Sequence, residues 1–183
     1  LIAMGLMPLG AVAESGGPEP APGVLVCDFT EDSVSSYWRV EDDGVMGGLS
    51  EGKLMINDAG HAVFSGYVTL ENNGGFSSIQ SYFDAVDVSG FTTAALRVKG
   101  DGKRYQFRVG SSPRERFAYR HTFPTSGDWE VIEIPLREMV PTWRGRQLDR
   151  PNYPAKTLGH LRFLIANGRN ETFRLEIDSI WLK

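Results

Sequence analysis

Thr93-Ala94-Ala95-Leu96-Arg97-Val98-Lys99-Gly100-Asp101-Gly102-Lys103-Arg104-Tyr105-Gln106-Phe107-Arg108-Val109-Gly110 settles the fold class. Its second arm alternates strictly, with Tyr105, Phe107 and Val109 set against Arg104, Gln106 and Arg108. Successive side chains of a strand point to opposite faces, so a period of two reads as a half-buried β-strand with one apolar and one polar face. Thr93–Lys99 is a second strand of the same length. Gly100-Asp101-Gly102 between the arms predicts a tight hairpin turn, because glycine reaches positive φ without steric cost.

The same signals recur on both sides. In His61–Leu70, Ala62, Phe64, Gly66, Val68 and Leu70 share one face, and Ser65, Tyr67 and Thr69 the other. Near the end, Phe173, Leu175 and Ile177 alternate with Arg174, Glu176 and Asp178. Val24–Phe29, Lys53–Ile56, Phe76–Phe83, Phe117–Phe123, Trp129–Ile134 and Leu158–Ile165 complete a set of about ten evenly spaced strands. Helix is scarce: only Leu136–Val140 reads as a single turn. With 21 Gly and 10 Pro for turns, the pattern predicts an all-β jelly-roll sandwich with little helix. A chain of 183 residues is long enough for one such domain with its own core.

The domain is expected to span residues 24–183. Residues 1–13 form a short apolar segment closing on Ala11-Val12-Ala13, the small-x-small pattern of a signal-peptidase site. They are too few to span a bilayer as a stable helix. Residues 14–23 alternate Pro18, Pro20 and Pro22 and read as a stiff, extended spacer. The expectation is an exported protein, periplasmic or secreted, with no stable membrane insertion after cleavage.

Charge is modest overall and unevenly placed. Net charge is −4, which argues against generic nucleic-acid binding through the whole surface. Asp28 to Asp58 holds eight acidic and two basic residues, and Arg97 to Arg120 holds eight basic and two acidic. Either the two stretches neutralise each other side by side, or they make a bipolar surface that orients a partner. The single Cys27 excludes an internal disulfide and a Cys-rich zinc site. It sits in an apolar run and reads as a buried core thiol.

Catalytic signatures are missing. His61, His121 and His160 show no two-His metal spacing. No Gly-x-Ser-x-Gly elbow occurs. Gly100-Asp101-Gly102 lacks the third glycine and following helix of a dinucleotide fingerprint. Asp43-Gly44-Val45-Met46-Gly47-Gly48-Leu49-Ser50 lacks the Lys of a P-loop. The paired carboxylates, Asp42 with Asp43 and Asp84 with Asp87, are sequence neighbours, whereas a glycosidase acid and base come from separate elements. A non-catalytic binding domain is expected.

The Gly-rich loops are more telling as a series. Asp43-Gly44-Val45-Met46-Gly47-Gly48 precedes Asn72-Asn73-Gly74-Gly75-Phe76-Ser77-Ser78. Val98-Lys99-Gly100-Asp101-Gly102 and Pro141-Thr142-Trp143-Arg144-Gly145-Arg146 follow, and the chain closes on Phe173-Arg174-Leu175-Glu176-Ile177-Asp178. This series resembles the complex I intermediate-associated protein family over nearly all of residues 28–182. The resemblance implies a galactose-binding-like jelly roll, a fold shared with many carbohydrate-binding modules. It also implies an assembly role for NADH:ubiquinone oxidoreductase in the mitochondrial members. The leader here lacks transit-peptide character and suggests export from a bacterial cell, so fold transfers more safely than that role.

The binding residues expected on these loops are Asp43, Met46, Asn73, Phe76, Trp143, Arg144 and Arg146, with Tyr105 as a candidate aromatic on a sheet face. Asp43 and Asn73 offer hydrogen bonds to a ligand if both loops form one rim. Trp143 and the two arginines are favoured interface anchors, unless an arginine pairs with the acidic loop Glu41–Asp43. Tyr67, Tyr82 and Phe107 are further candidates for an aromatic platform, with burial in the core as the alternative. No cofactor is expected. Asp28 and Asp178, near the first and last strands, are a weak pair for a structural calcium, which needs six or more oxygens. A protein partner in the cell envelope is the leading expectation, with a glycan as the alternative.

Overall fold

The structure is a computed structural model that describes residues 17–19 and 23–183. The leader, residues 1–13, and most of the spacer lie outside the described residues. The elements in chain order are β1 (Val24–Cys27), α1 (Glu31–Tyr37), β2 (Arg39–Asp42), β3 (Glu51–Ile56), β4 (Ala62–Val68), β5 (Ser77–Asp87), β6 (Thr93–Lys99), β7 (Arg104–Gly110), β8 (Ala118–Pro124), β9 (Trp129–Pro135), β10 (Val140–Trp143), β11 (Arg146–Gln147), β12 (Thr157–Ile165) and β13 (Glu171–Leu182). They form two antiparallel sheets. One runs β3-β4-β13-β6-β9, with β1 also paired with the Ile180–Leu182 end of β13, and the other runs β11-β10-β8-β7-β12-β5-β2. This is the all-β jelly-roll sandwich that the alternation predicts.

The core lies between the sheets. Phe64, Leu96, Leu175 and Ile177 of the first sheet face Ile79, Tyr105, Phe107 and Phe163 of the second, all essentially buried. Each large side chain removed from water stabilises the fold by about 1.5–3 kcal/mol. Phe29 and Trp38 close one side, their rings 4.7 Å apart. No helix among the described residues is long and apolar enough to cross a membrane.

The Gly100–Gly102 turn is not a hairpin. β6 pairs with β13 and β9, whereas β7 pairs with β8 and β12. The turn carries the chain from one sheet to the other. Both arms are apolar on one face, and an arch sets those faces opposite each other across the core, whereas a hairpin would lay them in one layer. The Asp101 carboxylate fixes the arch by accepting from Tyr105 Oη at 2.9 Å, Lys103 Nζ at 2.8 Å and the Arg174 backbone N–H at 3.0 Å.

Three strands, β2, β10 and β11, and the helix α1 go beyond the sequence expectation. Val34 and Trp38 turn the helix towards the core, and the Trp38 N–H donates to the Val34 carbonyl at 3.3 Å. Two apolar positions are too few to display a helical period. The segment Pro141–Arg146, read as a loop, is a β-hairpin. Trp143 opposes Arg146, and the two tip residues, Arg144 and Gly145, take φ of 47° and 77°, as a two-residue turn of the I′ kind requires.

Candidate functional site

Directly opposed residues of an antiparallel pair lie on one face of the sheet. Across the seven-stranded sheet, Arg39 opposes Gln80, Gln80 opposes Arg162, Arg162 opposes Arg108, and Arg108 opposes Arg120. One row therefore holds four arginines and no carboxylate. It lies on the outward face, since the flanking Phe107, Leu161, Phe163 and Ile79 point into the core.

Each member of the row is held differently. Arg162 Nη2 contacts Glu41 Oε1 at 3.0 Å and Ser78 Oγ at 2.8 Å. Its guanidinium sits 5.6 Å from the centre of the Phe76 ring. Gln80 donates to the other Glu41 oxygen at 2.5 Å. Arg108 is 9% exposed. Its Nε and Nη2 both donate to Gln106 Oε1, at 3.0 and 2.6 Å. Burial, then the Arg162 and Arg120 charges, pull the Arg108 pKa down to about 10.

The neighbouring row supplies the aromatic part. A bulge between Leu158 and His160 turns His160 outward, opposite Tyr82. The two rings stack at 4.3 Å and 10°. Tyr82 remains half exposed and donates to Gln80 Oε1 at 3.2 Å, so it joins the arginine row. His160 is buried beneath it, with Nε2 lacking a hydrogen-bond partner, as does Arg162 Nε. Burial, with the Arg162 and Arg108 charges, lowers the His160 pKa to about 3, so the ring is neutral at ordinary pH.

The two signature loops do meet, and Asp43 is the reason. Its carboxylate accepts from the Ser50 N–H at 3.0 Å, Ser50 Oγ at 2.5 Å, the Gly75 N–H at 2.6 Å and the Phe76 N–H at 3.2 Å. Burial would raise its pKa, but these donors more than offset that and hold it below the usual carboxylate range. The approach demands glycine. A Cβ on Gly48 would stand 2.2 Å from Asp43 Oδ1, and one on Gly74 would stand 2.7 Å from Oδ2. By fixing the Phe76 backbone, this pin places the ring beside Arg162 at the start of β5.

Several expected binding residues take other roles. Asp43 is fully buried with its oxygens occupied, so it ties loops together and offers nothing to a ligand. Tyr105 is fully buried in the core, its hydroxyl given to Asp101 and its pKa raised mainly by burial. Asp178 sits at a bulge in β13, with its carboxylate 3.1 Å from His61 Nδ1 and 3.3 Å from the Arg97 guanidinium. Asp28 is exposed and accepts from the Thr30 N–H at 3.4 Å. Among the described residues no three His, Cys, Asp or Glu side chains converge as a metal site.

Met46 and Asn73 are exposed near the Asp43 pin, Asn73 with φ 61°. Trp143, Arg144 and Arg146 are exposed at the opposite edge of the sheet, the Arg144 guanidinium 4.7 Å from the centre of the Trp143 ring. Arg144 and Arg146 therefore do not pair with the Glu41–Asp43 loop. Two ion pairs of the acidic and basic stretches run elsewhere: Lys103 pairs with Asp101 within the basic stretch, and Glu41 of the acidic stretch pairs with Arg162, which belongs to neither.

Arg108, Arg120, Arg162, His160, Gln80 and Glu41 were not among the binding residues expected from the sequence. The polar half of the β7 alternation was a visible signal. What one sequence does not give is the register that sets Arg162 and Arg120 on either side of Arg108.

Solved structures share this architecture. A family 11 carbohydrate-binding module from Clostridium thermocellum, in complex with a β-1,3-1,4-mixed-linked tetrasaccharide, matches with a TM-score of 0.64 at 16% identity, over 86% of this chain and 93% of that one. The family 11 module of the Clostridium thermocellum cellulosomal cellulase Lic26A-Cel5E matches at 0.65 and 14%, over 89% and 95%. A glycoside hydrolase domain of Endo-D from Streptococcus pneumoniae matches at 0.52 and 14%, over 80% of this chain and 21% of that one. At such identities the likeness is one of fold. The sequence adds the family: a sequence model of complex I intermediate-associated protein 30 matches residues 27–177. The chain thus belongs to the complex I intermediate-associated protein 30 (CIA30) family.

Proposed function

We propose that this is an exported, non-catalytic binding domain that holds a saccharide chain on the outward face of its seven-stranded sheet. The carrying observation is the Tyr82–His160 stack joined to the Gln80, Arg162 and Arg108 row. An aromatic face covers the apolar side of a sugar ring, while a few placed polar groups fix its orientation. The fold shared with a carbohydrate-binding module solved in complex with a tetrasaccharide supports the reading. Export, suggested by the leader, would bring envelope and extracellular glycans within reach.

The test is affinity electrophoresis against a panel of soluble polysaccharides. One or more should retard the wild-type domain, and Tyr82→Ala should weaken that binding by about tenfold, the equivalent of about 1.4 kcal/mol. Tyr82 is half exposed, so its loss leaves the core intact. Retardation unchanged in Tyr82→Ala, or absent throughout the panel, rejects the reading.

A protein-assembly role, which the family name favours, has one observation of its own. Val45, Met46 and Leu49 expose 73%, 58% and 54% of their surfaces around the short 3-10 turn after β2, and clustered apolar exposure marks interaction surfaces. Capture of a discrete envelope protein that is lost on Met46→Ser would favour this second reading.

A further inference from the structure

We infer that the saccharide is acidic: a chain bearing carboxylate or sulfate groups that lies across the strands, along Arg162, Arg108 and Arg120. This rests on the saccharide reading above and names its ligand class. Like charges directly opposite each other on neighbouring strands destabilise a sheet. Here two such oppositions follow one another, Arg162 with Arg108 and Arg108 with Arg120.

Among the described residues a carboxylate, that of Glu41, answers one of these three arginines, Arg162. Arg108 is nine-tenths buried, yet it meets only the neutral oxygen of Gln106, and the charges acting on it are those of Arg162 and Arg120. No carboxylate among the described residues pairs with Arg108 or Arg120. A buried cation without a counter-charge is costly. An anion laid on the row would offset that cost, and the planar guanidinium fork suits carboxylate and sulfate oxygens.

The geometry also favours a chain over a single small ion. The row runs from strand to strand, so its cations recur at roughly the 4.8 Å spacing of a sheet. Tyr82, seated on His160, lies one step along the strands from it, where a ring of the same chain can stack on its exposed side. Nucleic acid also carries evenly spaced anions, but the net charge of −4 opposes binding driven by phosphate alone.

The probes are polygalacturonate, its fully methyl-esterified form, dextran sulfate and a single-stranded DNA. Affinity is read by calorimetry and thermal shift. Polygalacturonate or dextran sulfate should bind at least about tenfold more tightly than the ester, with affinity falling as salt rises from about 50 to 200 mM. Arg108→Gln should abolish the preference while raising the melting temperature of the unliganded protein, since it relieves repulsion. Arg120→Gln, at the half-buried end of the row, should lose the same preference without disturbing packing.

The two acid arms distinguish carboxylate from sulfate as the recognised group. Equal affinity for the ester would overturn the acidic ligand and leave the saccharide reading standing. No binding to any probe would overturn the acidic ligand, and would overturn the saccharide reading as well only if the polysaccharide panel also fails to retard the domain. DNA competing as well as the acidic glycans would show that the row reads charge alone, and would also overturn both.

Discussion

His160 illustrates how far a single side chain is governed by its neighbours. It is stacked under Tyr82, with Arg162 and Arg108 the charged groups acting on it, and its pKa is lowered from 6.5 to about 3. In the unfolded chain it takes up a proton as pH falls through 6.5, while in the folded protein it stays neutral until about pH 3. The unfolded state therefore binds more protons in that window, and stability falls as pH drops through it. The contribution is present above pH 6.5 and its slope approaches about 1.4 kcal/mol per pH unit. Denaturant midpoints measured from pH 7 to 4 should fall less steeply in His160→Gln, and equal slopes would show that the histidine is not shielded. At this scale the sequence was half legible. It singled out Asp43 and Tyr105 by type, but their surroundings turned both inward, as a core-facing position in β7 did for Tyr105.

Elements carry the two signature loops to one place. The Asp43 carboxylate joins Ser50 before β3 to Gly75 and Phe76 before β5, which is why Gly-rich segments far apart in sequence both tolerate no added carbon at Gly48 and Gly74. Asp43→Asn keeps the volume but loses the charge and sets an amide against N–H donors. It should cost about 3 kcal/mol, the scale of charge-assisted hydrogen bonds, read as a shift in the urea midpoint. A shift under about 0.5 kcal/mol, the scale of a neutral surface change, would mean that the loops hold without the pin. Strands with clean alternation, β4, β7 and β13, were legible in the sequence. β2 lacks alternating apolar residues, and Pro141 inside β10 disguises a strand. The Gly100–Gly102 arch was misread because local turn chemistry does not say whether the next strand pairs or crosses.

For the whole molecule, the even spacing of strands made the sandwich legible. The proposed saccharide face was not, because it is assembled from β2, β5, β12, β7 and β8, strands far apart in sequence whose register is set by core packing on the opposite side. The basic stretch Arg97–Arg120 also divides in the fold. Arg97 is buried on the first sheet against Asp178, and Arg108 and Arg120 stand on the second. The net charge of −4 thus conceals a cationic row on one sheet face. The likeness to carbohydrate-binding modules concerns the sandwich, whereas the row is read from this chain's own residues.

The most direct measurement is a two-dimensional 15N–1H spectrum of the domain titrated with tetragalacturonate. Progressive shifts should concentrate at Gln80, Tyr82, Arg108, Arg120, His160 and Arg162, with the Val45–Leu49 and Trp143–Arg146 segments unmoved. Shifts confined to those segments, or none at millimolar ligand, would contradict an acidic-saccharide site on the seven-stranded face.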